Sequence, residues 1–496
     1  MTTTSGTRHP SAVAMPEHRV LYYGGAWHPP ASGRMVVDRD PATGDALGVV
    51  AEADAEDVDR AVRAAHRAFA TWRRMKPLER AAVLRRVIDA VRPHGDEFAM
   101  VDALDGGNPV RGMLSDVKIG LATMDYFAGL VTEMKGDTIP MGEDALDYTT
   151  REPLGVVARI VPFNHPVMFA LMKVAAPLAA GNTVVLKPAA QTPLSALRLM
   201  EVIEGLLPPG VLNVVTGGQE AGAALVAHPL VAKVGLIGSV ETGRAVLRGA
   251  ADGIKPVDLE LGGKNALVAY PDADPERVAA SAVQGMNLTW TAGQSCGATS
   301  RLFLHESVHD QTLAHVVDRL RKIRLGMPTD MECEMGCLVS PEQMKKVLSY
   351  VELGRREGAR LVLGGGPPAD ERLRGGCFVE PTLFAEVTQG MRIAREEIFG
   401  PVLCVLRWSD EDAMLDDVNA VEYGLTASVW TNDVVIAHRA AQRIQAGYVW
   451  INSVSTHFLG APFGGYKRSG LGREECLEEL LAYTQVKNVH VVPGRG

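Results

Sequence analysis

Val156-Val157-Ala158-Arg159-Ile160-Val161 is a short run of apolar, mostly β-branched residues, and the segment after it, Met168 to Ala179, is apolar and helix-forming. The alternation repeats through Thr183-Val184-Val185-Leu186, a helical Pro193 to Leu206, Val211-Leu212-Asn213-Val214-Val215, a helical Glu220 to Ala227, and Val231-Ala232-Lys233-Val234-Gly235-Leu236-Ile237. Strands that alternate with helices, and that are apolar throughout, predict an α/β fold whose mostly parallel sheet is covered on both faces. Ligands of such sheets bind beyond the carboxyl ends of the strands. The residues just after each run are therefore the first place to look for chemistry.

Downstream the pattern resumes. Arg301-Leu302-Phe303-Leu304, Ala359 to Leu363, Val402-Leu403-Cys404-Val405-Leu406 and Ala427-Ser428-Val429-Trp430 read as strands, with helices over Val308 to Ile323 and Glu342 to Arg356. This predicts a second α/β unit. Upstream, Asp54 is placed to cap a helix with an apolar stripe at Val58, Ala61, Val62, Ala65 and Phe69, and Leu84, Val87, Ile88 and Val91 mark another. Tyr483 to Val491 alternates like an exposed strand, and such an edge has to be paired or protected.

At 496 residues the chain exceeds one ordinary core, so two or three domains are expected. The net charge is -9 and no basic run exceeds a doublet such as Arg85-Arg86, which argues against nucleic acid and anionic membrane as partners. The stretch from Met1 to His18 lacks the apolar segment of a signal peptide and reads as a disordered tail. Val167 to Ala180 is too short to span a bilayer. The six scattered cysteines match no zinc-binding spacing, so no metal site is expected, and a reducing, cytoplasmic setting follows.

Among those cysteines, Cys296 stands apart. It lies in Gly293-Gln294-Ser295-Cys296-Gly297-Ala298, small and polar surroundings in which a thiol can meet a substrate. Glu260-Leu261-Gly262-Gly263-Lys264 places a carboxylate before a glycine pair, and Pro162-Phe163-Asn164-His165-Pro166 offers an amide. Thiol, carboxylate and amide suit a nucleophile, a base and an oxyanion donor. Gly238-Ser239-Val240-Glu241-Thr242-Gly243 follows a strand and opens a helix, the geometry that offers backbone N–H groups to a phosphate. Lys187-Pro188-Ala189 also ends a strand; its lysine is either a ligand for ribose hydroxyls or phosphate, or a solvated surface charge.

Taken in order, Pro162-Phe163-Asn164, Lys187-Pro188-Ala189, Gly238-Ser239, Glu260 to Lys264, Gly293 to Cys296, Glu397-Ile398-Phe399-Gly400-Pro401 and Pro462-Phe463-Gly464-Gly465 give the chain a resemblance to the aldehyde dehydrogenase superfamily from about Tyr22 onward. The resemblance implies a Rossmann-like cofactor-binding domain (residues 19–136 and 154–261), an α/β catalytic domain (262–475) and a small β oligomerisation element (137–153 and 476–496), in a homodimer or homotetramer. It implies NAD or NADP as cofactor, held by Val161, Phe163, Lys187, Gly238, Ser239, Gly243, Leu261, Glu397 and Phe399. Cys296 would attack the aldehyde, Asn164 would hold the oxyanion, and Glu260 would activate the water that releases the acid. Lys173 and Glu474 align with residues that relay protons, or form a structural ion pair. Relatives that transfer the acyl group to coenzyme A typically lack the glutamate, so Glu260 favours hydrolysis.

The sequence departs from the family pattern at Ala190. NAD-preferring relatives often carry a glutamate there, which binds ribose hydroxyls and repels a 2′-phosphate, so NADP is expected to be tolerated or preferred. Positions aligned with the substrate tunnel are His165, Met168, Phe169, Met172, Trp290, Ser295, His457, Phe458 and Phe463. An aromatic, apolar lining without arginine disfavours a substrate with a distal carboxylate. It suits an aromatic or medium-chain apolar aldehyde, or a quaternary ammonium such as betaine aldehyde. A cofactor-free thiol hydrolase or esterase is the alternative of another class; it leaves the Gly238-Ser239 turn and Glu397 unexplained.

Overall fold

The computed structural model describes residues 14–492. The stretch quoted above becomes the centre of an eight-stranded sheet. Five parallel strands form its middle, in the order Val257–Glu260, Val231–Ile237, Val156–Ile160, Thr183–Lys187 and Leu212–Val214. The chain winds outward from Val156–Ile160 in one direction and then returns to its other side, so the order reverses between that strand and Val231–Ile237. This reversal opens a crevice at the carboxyl ends. The registers align those ends: Ile160 lies opposite Lys187 and Leu236, and Ile237 opposite Glu260.

A second sheet of seven strands is built from residues 266–451 and is parallel except where Arg360–Leu363 runs against Thr382–Ala385. Only residues 261–265 separate Glu260, at the carboxyl end of the first sheet, from Ala266, at the start of a second-sheet strand. So short a connection sets the carboxyl edge of one sheet against the amino edge of the other. The Cys296 loop, leading into Arg301–His305, and the Glu397 loop, leading into Val402–Trp408, enter along that same amino edge.

The helix Pro166–Ala180 packs beneath the crevice, and all its residues are buried. Pro166 takes its first turn, where the missing N–H is not needed, and Gly181 at φ +96° ends it. A helix apolar on every face can exist only inside a core, so Lys173 within it needs a carboxylate partner.

The hairpin expected near 137–153 is present as Thr138–Pro140 and Leu146–Pro153, and Thr484–Val491 adds to it through eight paired positions. That last strand forms the outer edge of a three-stranded sheet. Two readings need correction. The disordered tail expected through residue 18 ends earlier: His18 stacks on Trp27 at 4.5 Å and its backbone N–H donates to Glu201, while residues 1–13 lie outside the described residues. Gly470–Leu471, assigned above to the second unit, instead pairs antiparallel with Val257–Glu260 in the first sheet. Among the described residues no helix is long and apolar enough to cross a membrane.

Candidate active site

Cys296, Glu260 and Asn164 come together on one cavity of about 330 Å3 between the two sheets. The Cys296 loop is positioned by backbone contacts that only small residues allow. A Cβ at Gly263 would overlap the Cys296 carbonyl, and one at Gly262 would overlap the Glu397 carboxylate. The Asn265 amide donates to the Cys296 carbonyl at 2.7 Å and to the Ala298 carbonyl at 3.0 Å. The glycine pair of the Glu260 motif therefore brings the thiol loop and the Glu397 loop to the same point.

Burial, then the charges of Glu260 and Glu397, push the Cys296 thiol up to about 12. A thiol so placed is protonated at neutral pH, and the thiolate is the nucleophile, so a base has to take its proton. Both oxygens of Glu260 are buried without a hydrogen-bond partner. Its carboxyl is held well above the usual carboxylate range, first by burial and then by the Glu474 charge, with Lys173 pulling the other way. A carboxylate raised in this manner is a stronger proton acceptor than an ordinary one.

Asn164 donates through Nδ2 to the Gln294 carbonyl at 2.9 Å. An amide nitrogen carries two hydrogens, which leaves one for an oxyanion. On the oxyanion role that the sequence resemblance implies, Asn164→Ala is expected to lower kcat by about 10^2–10^3-fold, measured at steady state; loss in KM alone would assign Asn164 to ground-state binding.

Lys173 and Glu474 meet at 2.5 Å, and Arg159 takes the second Glu474 oxygen at 2.9 Å. Burial alone would raise the Glu474 carboxyl, but the two cations outweigh it and hold it down at about 2. Both oxygens are committed, so Glu474 here balances charge, and proton relay through it requires one of those bonds to open.

The residues assigned to a cofactor line the strand ends of the crevice. Val161 bonds the Lys187 carbonyl, tying two strand ends together. Phe163 and Phe399 meet edge to face at 5.7 Å. Glu397 accepts from the Gly263 N–H at 2.9 Å, and burial lifts its carboxyl to about 6. Gln343 holds the Phe399 carbonyl at 2.6 Å. Ser239 caps the helix Val240–Ala251, and Gly243 lets that helix close on Leu261. Lys187 tests the fit of a dinucleotide. It is buried, not solvated, and its ammonium has only the Pro188 carbonyl at 3.0 Å. Burial pushes it down to about 8. A buried ammonium with unused donors needs oxygen acceptors from elsewhere, which a ribose or phosphate supplies.

Of the tunnel positions, His165, Met168, Phe169, Met172, Trp290, Ser295, His457 and Phe463 line the cavity. Phe458 does not. It is 66% exposed, because the turn ending at Gly460 points it outward, and Leu459 takes the wall position instead. Trp450 and Ile119 also line the cavity and carried no signal in the sequence. Asp116 and Glu475 were missed as well. Asp116 did leave a trace: it interrupts an otherwise apolar buried stripe of Met113, Val117, Gly120, Leu121 and Met124.

The sequence profile of the aldehyde dehydrogenase family matches residues 27–489. The aldehyde dehydrogenase tropH of Talaromyces stipitatus is 49% identical over 489 residues, covering 97% of this chain and 95% of that protein. A betaine aldehyde dehydrogenase of Cereibacter sphaeroides is 44% identical over 456 residues, covering 92% and 93%. The solved NAD+ complex of an aldehyde dehydrogenase from Bacillus cereus superposes with a TM-score of 0.93 at 40% identity, covering 96% of this chain and 97% of that one.

Proposed function

Since the chain belongs to the aldehyde dehydrogenase family and is an NAD(P)-dependent enzyme of it, we propose that it oxidises an aromatic or medium-chain apolar aldehyde to the free acid through Cys296. The observation that carries this reading is the single cavity that holds Cys296, Glu260 and Asn164 behind a wall of Phe169, Met172, Trp290 and Phe463. Glu260 has both oxygens free to take the thiol proton. The Cys296 sulfur bonds the carbonyl carbon, and the oxyanion is held by the second Asn164 N–H and the Cys296 backbone N–H. When bound, NAD(P) accepts the hydride that leaves this carbon. Cys296 then carries the acyl group as a thioester. Once the thiol proton has passed from Glu260 to solvent, Glu260 takes a proton from water, the water oxygen bonds the acyl carbon, and the carbon–sulfur bond breaks to release the acid, with the Glu260 proton returning to the Cys296 sulfur.

We assign Lys187, Glu397, Phe399 and the Gly238-Ser239 turn to the cofactor, with residues 19–136 and 154–261 and the Gly470–Leu471 strand as its domain and the rest of 262–475 as the catalytic domain. The outer edge of Thr484–Val491 supports pairing with a second copy. The quaternary-ammonium reading has the aromatic wall and the Cereibacter sphaeroides relative in its favour. An aldehyde panel assayed with both cofactors at the reduced-nicotinamide absorbance decides among substrates; a flat response across all aldehydes overturns the proposal.

Cofactor choice turns on Ala190, which is exposed just beyond the buried Lys187. With no carboxylate there, NADP is tolerated or preferred. Ala190→Glu is expected to raise the NAD/NADP ratio of kcat/KM by about tenfold or more, since a like charge beside a 2′-phosphate is strongly unfavourable. A strong NAD preference in the unmodified enzyme would remove the basis for this assignment.

A further inference from the structure

The wall of the cavity carries two histidines, and each is anchored by a carboxylate outside the chemistry described above. His165 Nδ1 lies 2.8 Å from Asp116 Oδ2, and His457 Nδ1 lies 3.0 Å from Glu475 Oε2. The first pair is the more tightly built. Asp116 is completely buried, and its second oxygen accepts from the Trp290 indole N–H at 2.7 Å. The His165 ring stands edge to face against both Trp290, at 4.9 Å, and Phe169, at 5.5 Å. Asp116 thus locks the rotation of the ring as well as its proton. The His457 pair is more open, with the histidine side chain 38% exposed.

A carboxylate only accepts hydrogen bonds, so the proton between it and the ring sits on Nδ1. The Nε2 lone pair is then the free position of the imidazole. Among the described residues His165 Nε2 has no hydrogen-bond partner, and the ring lines the cavity that holds Cys296. A largely apolar wall that holds this rigid acceptor favours a ligand that brings a donor, because the acceptor otherwise stays unpaired when water is expelled. A plain aromatic or alkyl aldehyde brings none. A quaternary ammonium has no N–H or O–H to give.

We propose that the substrate is an aldehyde of aromatic size bearing a hydroxyl group, whose O–H donates to His165 Nε2, with Asp116 as the positioning residue that keeps this nitrogen an acceptor. This rests on the reading above that Cys296 oxidises an aldehyde in this cavity. It names a feature of the substrate that the apolar wall alone does not.

The test compares kcat/KM of the full-length enzyme, with NAD and with NADP, for benzaldehyde, the three hydroxybenzaldehydes, the matching methoxybenzaldehydes and betaine aldehyde. The best hydroxy isomer is expected to exceed benzaldehyde and its own methoxy ether by about tenfold or more, as for a site built around one hydroxyl. In His165→Phe that ratio falls to near one, and His165→Gln, which keeps an acceptor, restores part of it. Asp116→Asn is expected to raise KM for the hydroxy substrate more than it lowers kcat. Equal rates for hydroxy and methoxy partners, a ratio that persists in His165→Phe, or betaine aldehyde as the best substrate each overturns the inference. Should His165→Phe fail to fold, the hydroxy–methoxy comparison in the unmodified enzyme still decides it. Failure to oxidise any aldehyde would instead strike the underlying proposal.

Discussion

Cys296→Ala is expected to abolish aldehyde oxidation, with kcat falling by about 10^4-fold or more, because among the described residues no other thiol lines the cavity to form the covalent bond that splits the reaction into two steps. Reduced nicotinamide should not appear even as a single equivalent per active site. The substitution removes a side chain that faces the cavity, while the loop stays held by the Asn265 amide on the Cys296 and Ala298 carbonyls. The variant should therefore keep its fold, checked by its thermal midpoint. It should also keep its cofactor affinity, checked by equilibrium titration with NAD and NADP. Undiminished turnover in a folded variant would rule out Cys296 as the nucleophile.

Glu260→Gln should separate the two halves of the reaction. The glutamine cannot take a proton from water, so steady-state turnover is expected to drop by about 10^2–10^4-fold. One burst of reduced nicotinamide should remain, slowed because Glu260 no longer takes the Cys296 proton, and mass spectrometry should find the acyl group on Cys296. The pH profile gives an independent reading. Burial and the Glu474 charge raise the Glu260 carboxyl above its ordinary 4.5. Below that raised value Glu260 is protonated and cannot serve as base. The acid limb of kcat in the unmodified enzyme should accordingly lie above 4.5, and turnover should rise with pH through it. That limb should be absent in Glu260→Gln. A burst followed by unimpaired turnover would move the base to another residue.

The parts of this arrangement legible in the amino-acid sequence are those that depend on near neighbours in the chain. The run at Val156–Ile160 and its successors point to a parallel sheet through their spacing alone, and the observed strands fall within a residue or two of the expected ones. The thiol and the carboxylate can be picked out because each sits in a short motif whose small residues have a local purpose. Gly262 and Gly263 stand out as a glycine pair in the chain itself, and the fold then gives them their contacts with Glu397 and Cys296. The exposed Phe458 marks where this kind of reading fails. Its position in the chain is right for the wall, but the direction of a loop side chain is set by the turn around it, and Leu459 faces inward instead.

Chain order and residue type were enough for the α/β class and for the strand ends that face the crevice, because backbone preferences and apolar periodicity act over a few residues, and they single out Cys296, Glu260 and Asn164, which the fold brings to one cavity. Pairings between distant side chains were not. His165 meets Asp116 across 49 positions, and Lys173 meets Glu474 across 301. The apolar stripe around Asp116 hints at its burial, but nothing local names the histidine it meets. Only when the apolar stripe around Asp116 packs against Pro166–Ala180 does burial deny it water and oblige it to accept hydrogen bonds from His165 and Trp290.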